Sequence, residues 1–288
     1  MKLTLRTVLQ NAQQSGVAVG HFNISDWVLL KAVVEAARAL GVPVLVGASE
    51  GEREFLGVRQ IGAVVRSLRE EYSFPIFLNA DHTHSLQGAL DAAHAGFDAI
   101  TFDLSALPYE QNVRDTRAAV TALKSINPDI LVEGEIGDIG TGSEIHAAAP
   151  DLSKFLTKPE EAKGFVESTG VDILAPAVGN MHGMLESMVQ GQTHKHLDIQ
   201  RIADIKKASG AFLTLHGGSG TEDADFRRAI AAGINIIHIN TELRVAWRQG
   251  LEAGLAQHPR EVAPYKILPS AVDAVKLVVT SRLRLFNS

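Results

Sequence analysis

The sequence predicts a closed (β/α)8 barrel (the TIM type) with one additional C-terminal helix. Three observations carry this α/β fold class. Short apolar runs alternate with longer amphipathic segments eight times along the chain. Those runs are apolar on both faces, as parallel strands covered by helices require. The 288 residues and 45% hydrophobic content are enough for one such barrel, which takes about 250 residues. An open doubly wound sheet is the runner-up. It would want a Gly-rich fingerprint after the first strand, and none stands there. No linker or low-complexity segment divides the chain. Residues 1–288 therefore read as a single domain, with 259–288 as a helical extension.

The first strand is the apolar run 17–22. Asn23, Ser25 and Asp26 then supply loop and N-cap chemistry, and 27–40 has helical periodicity closed by Gly41. Strand 43–47 and helix 57–71 follow, then strand 75–79 and helix 85–95, which stops at Gly96. The fourth unit is strand 98–102 with helix 109–125. The fifth is strand 130–135 with helix 159–168, stopped at Gly170. Strand 171–175 and helix 198–208 make the sixth, stopped at Gly210. Strand 211–215 and helix 222–232 make the seventh, stopped at Gly233. Strand 234–239 and helix 241–256 complete the ring. A tail helix, 270–285, follows a link bearing Pro259, Pro264 and Pro269.

The net charge of −6 and the absence of a long basic run argue against nucleic acid or an anionic membrane as partner. The chain has no cysteine, which excludes disulfides, a thiolate nucleophile and thiolate metal ligands. Residues 1–10 lack the apolar core of a signal peptide, and no run is long enough to span a bilayer. A soluble, cytoplasmic protein is expected.

Polar residues gather where strands should end: Asn23, Ser49, Asp81, His82, Asp103, Glu133, Glu135, His182, His216, His238, Asn240 and Thr241. In this fold the C-terminal strand ends form one mouth, which holds the catalytic groups. Asp81-His82 sets a carboxylate beside an imidazole, suited to a general acid/base next to a metal ligand. A lone His after a strand is commonly structural. His82, His182 and His216 at three strand ends instead suit a catalytic zinc with one open position, although spacing does not identify the metal. His216-Gly217-Gly218-Ser219-Gly220 has the small residues that let backbone N–H groups approach phosphate oxygens. Asn240-Thr241 then leads into a helix N-terminus. Two long glycine-bearing loops, 137–158 (Gly137, Gly140, Gly142) and 178–197, read as lids.

Phe22-Asn23, Asp81-His82, Val132-Glu133-Gly134-Glu135, His182-Gly183, His216 to Gly220 and Thr241-Glu242-Leu243 occur together in order. In this the chain resembles the class II, metal-dependent ketose-bisphosphate aldolases, the fructose- and tagatose-bisphosphate aldolase family, over residues 3–256. The resemblance implies that His82, His182 and His216 bind zinc, that Glu135 offers an alternate metal position, and that Asp103 orients a zinc-binding His. Asp81 would be the acid/base at the C3–C4 bond, and Glu144 the mobile acid that moves the donor-carbon proton. Gly183, Gly217, Gly218, Ser219 and Thr241 would line a phosphate site, with Asn23 and Ser49 near the other half of the substrate. The family also implies a monovalent cation (Na+ or K+) near the phosphate, a sugar-phosphate substrate of glycolytic type, and a homodimer or homotetramer. The expected activity is reversible cleavage of fructose 1,6-bisphosphate. Tagatose 1,6-bisphosphate or another ketose phosphate is the alternative, and a non-catalytic sugar-phosphate-binding barrel is the more distant one.

Departures from the family pattern are specific. His238 stands where many relatives have an Asn that helps hold the enediolate. Asn240 matches neither the Asp of many fructose enzymes nor the small residue of tagatose enzymes. Leu185-Glu186 replaces a common Tyr-Lys, so the phosphate loses a cation unless Lys195 supplies one. Arg282 and Arg284 are candidates for the distal phosphate, with Arg244 and Arg248 competing. Bland readings are favoured for the rest. Trp27 and Trp247 read as helix packing, and Glu52-Arg53-Glu54 as a solvated loop. His21, His84 and His94 read as structural or surface groups. His146, His194 and His196 have no assigned role.

Overall fold

The structure is a computed structural model that describes residues 3–140, 144–147 and 156–288. Eight parallel strands close into a barrel in chain order: β1 (Val19–Asn23), β2 (Val44–Ala48), β3 (Ile76–Thr83), β4 (Ala99–Phe102), β5 (Leu131–Ile136), β6 (Ile173–Pro176), β7 (Phe212–Leu215) and β8 (Ile234–Ile239). β8 pairs back to β1, with His238 beside His21. Ring closure leaves no sheet edge and rules out the open doubly wound alternative.

Each predicted helix is present, its ends shifted by a residue or two. The helix Trp27–Leu40 starts where the Asp26 carboxylate accepts the Leu29 N–H at 2.8 Å and stops at Gly41, whose φ of 67° is left-handed. The tail helix Pro269–Phe286 packs between the first and last barrel helices, Trp27–Leu40 and Thr241–Gln257. Its approach to the latter is close: a Cβ on Gly250 would lie 2.6 Å from the Ala271 Cα.

Among the described residues, two helices longer than four residues were not anticipated. Leu5–Ser15 places Leu5, Val8, Leu9 and Ala12 on one face at helical spacing. That face packs against Val19, Leu45, Phe77, Ala99, Leu131, Ile173 and Ile236, all near strand starts, and so plugs the N-terminal end of the barrel. The second helix, Glu50–Leu56, corrects the reading of Glu52-Arg53-Glu54 as a solvated loop. Glu52 and Arg53 are buried beside the mouth, where each finds polar partners.

The barrel interior is apolar at the plugged end and polar at the other. Between them runs a hydrogen-bonded belt of inward side chains. Asn79 donates to Thr101 (3.1 Å), Thr101 to Glu133 (3.1 Å) and Thr214 to Glu133 (2.7 Å), while His21 Nε2 lies 3.1 Å from the Asn79 amide.

Candidate active site

Adjacent residues on a regular strand point to opposite faces, so Asp81 and His82 should not share a site. A register shift in the β3–β4 pairing between Ala80 and Thr83 removes that constraint. His82 there adopts a left-handed φ of 41°. The carboxylate and the imidazole both reach the mouth, with His82 Nε2 3.9 Å from Asp81 Oδ1.

His182 arrives from the loop after β6, and His216 from the end of β7. One ring nitrogen of each of the three histidines lies within 4.8 Å of the other two. The opposite nitrogens identify the free lone pairs. His82 Nδ1 lies 2.8 Å from Asp103, His216 Nε2 lies 2.6 Å from Glu133, and His182 Nδ1 lies 2.7 Å from the Gly140 carbonyl. Each partner is an acceptor, so those nitrogens carry the protons. His82 Nε2 and His216 Nδ1 then face each other at 3.1 Å, and in the neutral rings both are lone pairs. Two lone pairs at that distance want a cation between them, and tetrahedral zinc with bonds of about 2.0–2.1 Å sets such nitrogens about 3.3 Å apart. The donor set thus fits a divalent metal. Burial pushes the His182 pKa down to about 3, which keeps its ring neutral for ligation. Burial acts the same way on His82, but Asp81, Asp103 and Glu135 overcome it and push its pKa up to about 10. A metal must displace that proton.

Glu135 Oε2 is buried without a hydrogen-bond partner among the described residues, 3.5 Å from His216 Nδ1. Burial, and then the Asp103 charge, push its pKa up to about 7. With His82 and Asp103 it offers a second set of metal-ligating atoms, all within 4.8 Å of one another.

Asp81 is held from three sides. Asn23 donates to its Oδ2 at 2.8 Å, Arg53 donates to its backbone carbonyl at 2.9 Å, and His238 Nδ1 lies 3.4 Å from its Oδ1. Burial alone would raise its pKa; His82 and His238 hold it well below the usual carboxylate range. The His238 ring is sandwiched, 4.1 Å from His216 and 3.4 Å from His21. Burial and the neighbouring imidazoles keep it neutral, and its buried Nε2 has no hydrogen-bond partner among the described residues.

A cavity of about 360 Å³ opens above these groups. It is lined by Asn23, Ser49, Asp81, His82, Asp103, Glu144, His182, Gly183, Gly217, Ser219, His238, Asn240 and Thr241, with His216 and Glu135 beneath. Gly218 departs from its expected phosphate role. Its N–H donates to the His238 carbonyl at 3.1 Å, so it braces the turn instead of facing the cavity. The Lys195 ammonium does not point at a phosphate either; it lies 2.6–2.9 Å from four backbone carbonyls. Arg282 is paired with Glu242 and Asp223 away from the cavity, and Arg284 and Arg248 do not line it. Arg244 does, with Nη2 2.8 Å from Glu52. His194 and His196 also lie outside it. Of the predicted lid, Gly142 and residues 148–155 lie outside the described residues. Ile145–His146 pairs with Met184–Leu185 in a small sheet.

Sequence reasoning missed the supporting roles of Glu133, Glu52 and Arg53. The signal for Glu133 was its spacing from Glu135, which puts two carboxylates on the inner face of one strand. Glu52 accepts from Ser49 and Asn23, and so ties the second strand end to the group that holds Asp81.

A barrel whose C-terminal mouth gathers three imidazole lone pairs and a buried carboxylate is that of a metal-dependent enzyme. The model of the class II fructose-bisphosphate aldolases matches residues 3–288. A probable fructose-bisphosphate aldolase of Bacillus subtilis is 34% identical, covering 99% of this chain and 98% of its own. A fructose-bisphosphate aldolase of Thermus caldophilus is also 34% identical, covering 100% and 99%. Among solved structures, the YdjI aldolase of Escherichia coli K12 superposes with a TM-score of 0.81 at 27% identity, over 100% of this chain and 98% of that one. The chain belongs to the class II fructose-bisphosphate aldolase family, and is an aldehyde-lyase.

Proposed function

We propose that the protein is a zinc-dependent aldolase that reversibly cleaves fructose 1,6-bisphosphate into dihydroxyacetone phosphate and glyceraldehyde 3-phosphate. The supporting observation is the convergence of the His82, His182 and His216 lone pairs beside Asp81. Zinc held by those three rings supplies Lewis acidity toward the ketone oxygen, which makes a negative charge on the adjacent carbon accessible.

The chain's own groups move the protons. In cleavage, Asp81 takes the proton of the C4 hydroxyl as the C3–C4 bond breaks and its electron pair stays with the ketone half. Glu144 returns a proton to C3 to complete dihydroxyacetone phosphate. Synthesis runs in reverse, so Asp81 must alternate between carboxylate and acid. The Asn23 amide and the His238 ring fix its orientation. Gly183, Gly217, Ser219 and Thr241 face the ketone-side phosphate with small side chains and a helix N-terminus. Arg244 is the cation at the mouth for the distal phosphate. In this reading the chain is one catalytic domain that works as a cytoplasmic homodimer or homotetramer. Among the described residues, no helix is long and apolar enough to cross a membrane.

The test is triose-phosphate release from fructose 1,6-bisphosphate and tagatose 1,6-bisphosphate, with metal-free protein and after adding zinc. Zinc-dependent release, faster from the fructose epimer, is expected. Preference for tagatose 1,6-bisphosphate would make Asn240 a tagatose-type selector. No release from either by zinc-loaded protein would remove the bisphosphate reading.

A further inference from the structure

Lys195 is almost wholly buried, yet among the described residues its ammonium faces no carboxylate at bonding distance. It lies 2.7 Å from the Met181 carbonyl oxygen, 2.6 Å from Gly183, 2.9 Å from Gly217 and 2.6 Å from Ser219. An ammonium has three N–H donors, and here four oxygens converge on it. A shell of backbone carbonyls that outnumbers the donors is the coordination environment of a spherical monovalent cation, in which carbonyl dipoles replace water.

The cage joins two loops. Met181 and Gly183 flank His182, and Gly217 and Ser219 follow His216. The N–H of each of the four peptide units points the other way and is also occupied. His182 N donates to Ile139 O (2.9 Å), Met184 N to Glu144 O (2.9 Å), Gly218 N to His238 O (3.1 Å) and Gly220 N to a Glu242 carboxylate oxygen (2.9 Å). Each peptide is thus pinned at both ends, with Lys195 as the common centre. The Lys195 backbone joins the same structure, its N–H donating to Gly220 O at 2.9 Å. Without a positive charge in the middle, four buried carbonyl dipoles would face one another unsatisfied.

We propose that the Lys195 side chain is a covalently tethered monovalent cation. Its ammonium occupies the carbonyl cage that fixes the His182 loop against the glycine-rich loop, so the protein needs no free K+ or Na+. The monovalent ion that the family resemblance implies near the phosphate is here part of the chain. Lys195 is a positioning residue, acting through Gly183, Gly217 and Ser219, which line the cavity. It also leaves a fixed charge behind the phosphate-facing turn. Burial pushes its pKa down to about 7, so the carbonyl dipoles have to hold the proton on it.

The experiment compares wild type, Lys195→Ala and Lys195→Met in tetramethylammonium buffer, each with KCl, NaCl, NH4Cl or RbCl added at matched ionic strength. Thermal midpoint and, resting on the aldolase reading, triose-phosphate release are measured. Wild type should respond to none of the salts. Lys195→Ala should lose activity by about 10–100-fold, from the loss of several charge-assisted hydrogen bonds, and fall in midpoint. K+, NH4+ or Rb+ should restore both. Lys195→Met, whose methyl fills the cage without charge, should show the loss with no rescue.

Crystals soaked in RbCl give a reading independent of turnover. The cage should show anomalous density in Lys195→Ala and none in wild type. Rubidium in the wild-type cage, activation of wild type by K+, or an alanine variant that folds and ignores every cation would each overturn the proposal. So would a methionine variant as stable as wild type. If zinc-loaded protein releases no triose in any arm, the aldolase reading fails, while the rubidium and stability results still decide the role of Lys195.

Discussion

Asp103→Ala removes the acceptor that holds the His82 ring. Asp103 Oδ2 lies 2.8 Å from His82 Nδ1, and its Oδ1 is fixed by the Ser105 N–H and hydroxyl at 3.0 and 2.7 Å. Losing such an outer partner typically weakens metal affinity about 10–100-fold, or about 1.4–2.7 kcal/mol. A second effect opposes it. The His82 pKa is raised to about 10, so at pH 7 a proton competes with the metal and lowers apparent affinity roughly a thousandfold. The Asp81 charge is the largest single cause of that elevation, and Asp103 adds to it through both its hydrogen bond and its charge. Without Asp103 the competing proton leaves at lower pH, and the variant recovers affinity near neutrality. The signs therefore predict a deficit that is small near pH 6–7 and widens as pH approaches the folded pKa of His82. Zinc affinity measured against a chromogenic chelator at several pH values reads this directly. A variant that binds zinc as tightly as wild type at pH 9, or whose deficit shrinks as pH rises, would refute the assignment of Asp103 as the partner that orients His82.

Asp81→Asn should keep stoichiometric zinc and lose about 10²–10⁴ in kcat; near wild-type turnover would mean another group carries the C4 proton. Arg53→Ala should destabilise the fold by about 3 kcal/mol or more in urea denaturation, because the buried Asp81 carbonyl, Thr83 hydroxyl and Ala48 carbonyl lose a charged donor. A loss under about 1 kcal/mol would place that guanidinium in water instead. His84 has its pKa raised to about 9, first by Asp103 and, against partial burial, by Glu50. Its stabilisation is present below the unfolded value of 6.5 and is lost as pH rises through 9. Because the ring is largely exposed, the wild-type minus His84→Gln difference should stay under about 1 kcal/mol at pH 6 and vanish by pH 10. A difference that grows with pH would reverse the sign assigned to the pair.

The barrel was legible because burial on both faces and helical period repeat through every unit, and stop glycines close five of the eight helices. The histidine cluster was legible because His82 and His216 sit at strand ends and His182 in the loop after one, where the fold puts its chemistry. The plug helix Leu5–Ser15 was not, since its apolar face is narrow and its polar face fills most of the segment. Glu52 and Arg53 misled for a different reason. Charge in a short segment normally means water, and only the tertiary neighbours Asn23, Asp81 and Thr83 give these two a buried role. Lys195 could be named as a cation source from sequence, but no local pattern shows that Met181, Gly183, Gly217 and Ser219 will turn their carbonyls onto it.

The left-handed backbone at His82 is a local cost that the surrounding carboxylates hold in place. A non-glycine residue there is disfavoured by about 1–2 kcal/mol, and glycine or asparagine would relieve much of this. His82→Gly or His82→Asn would also leave the buried carboxylates of Asp81, Asp103 and Glu135 without the imidazole they face, a cost of about 3–5 kcal/mol that exceeds the relief. A screen for heat resistance alone should therefore retain His82 despite its backbone.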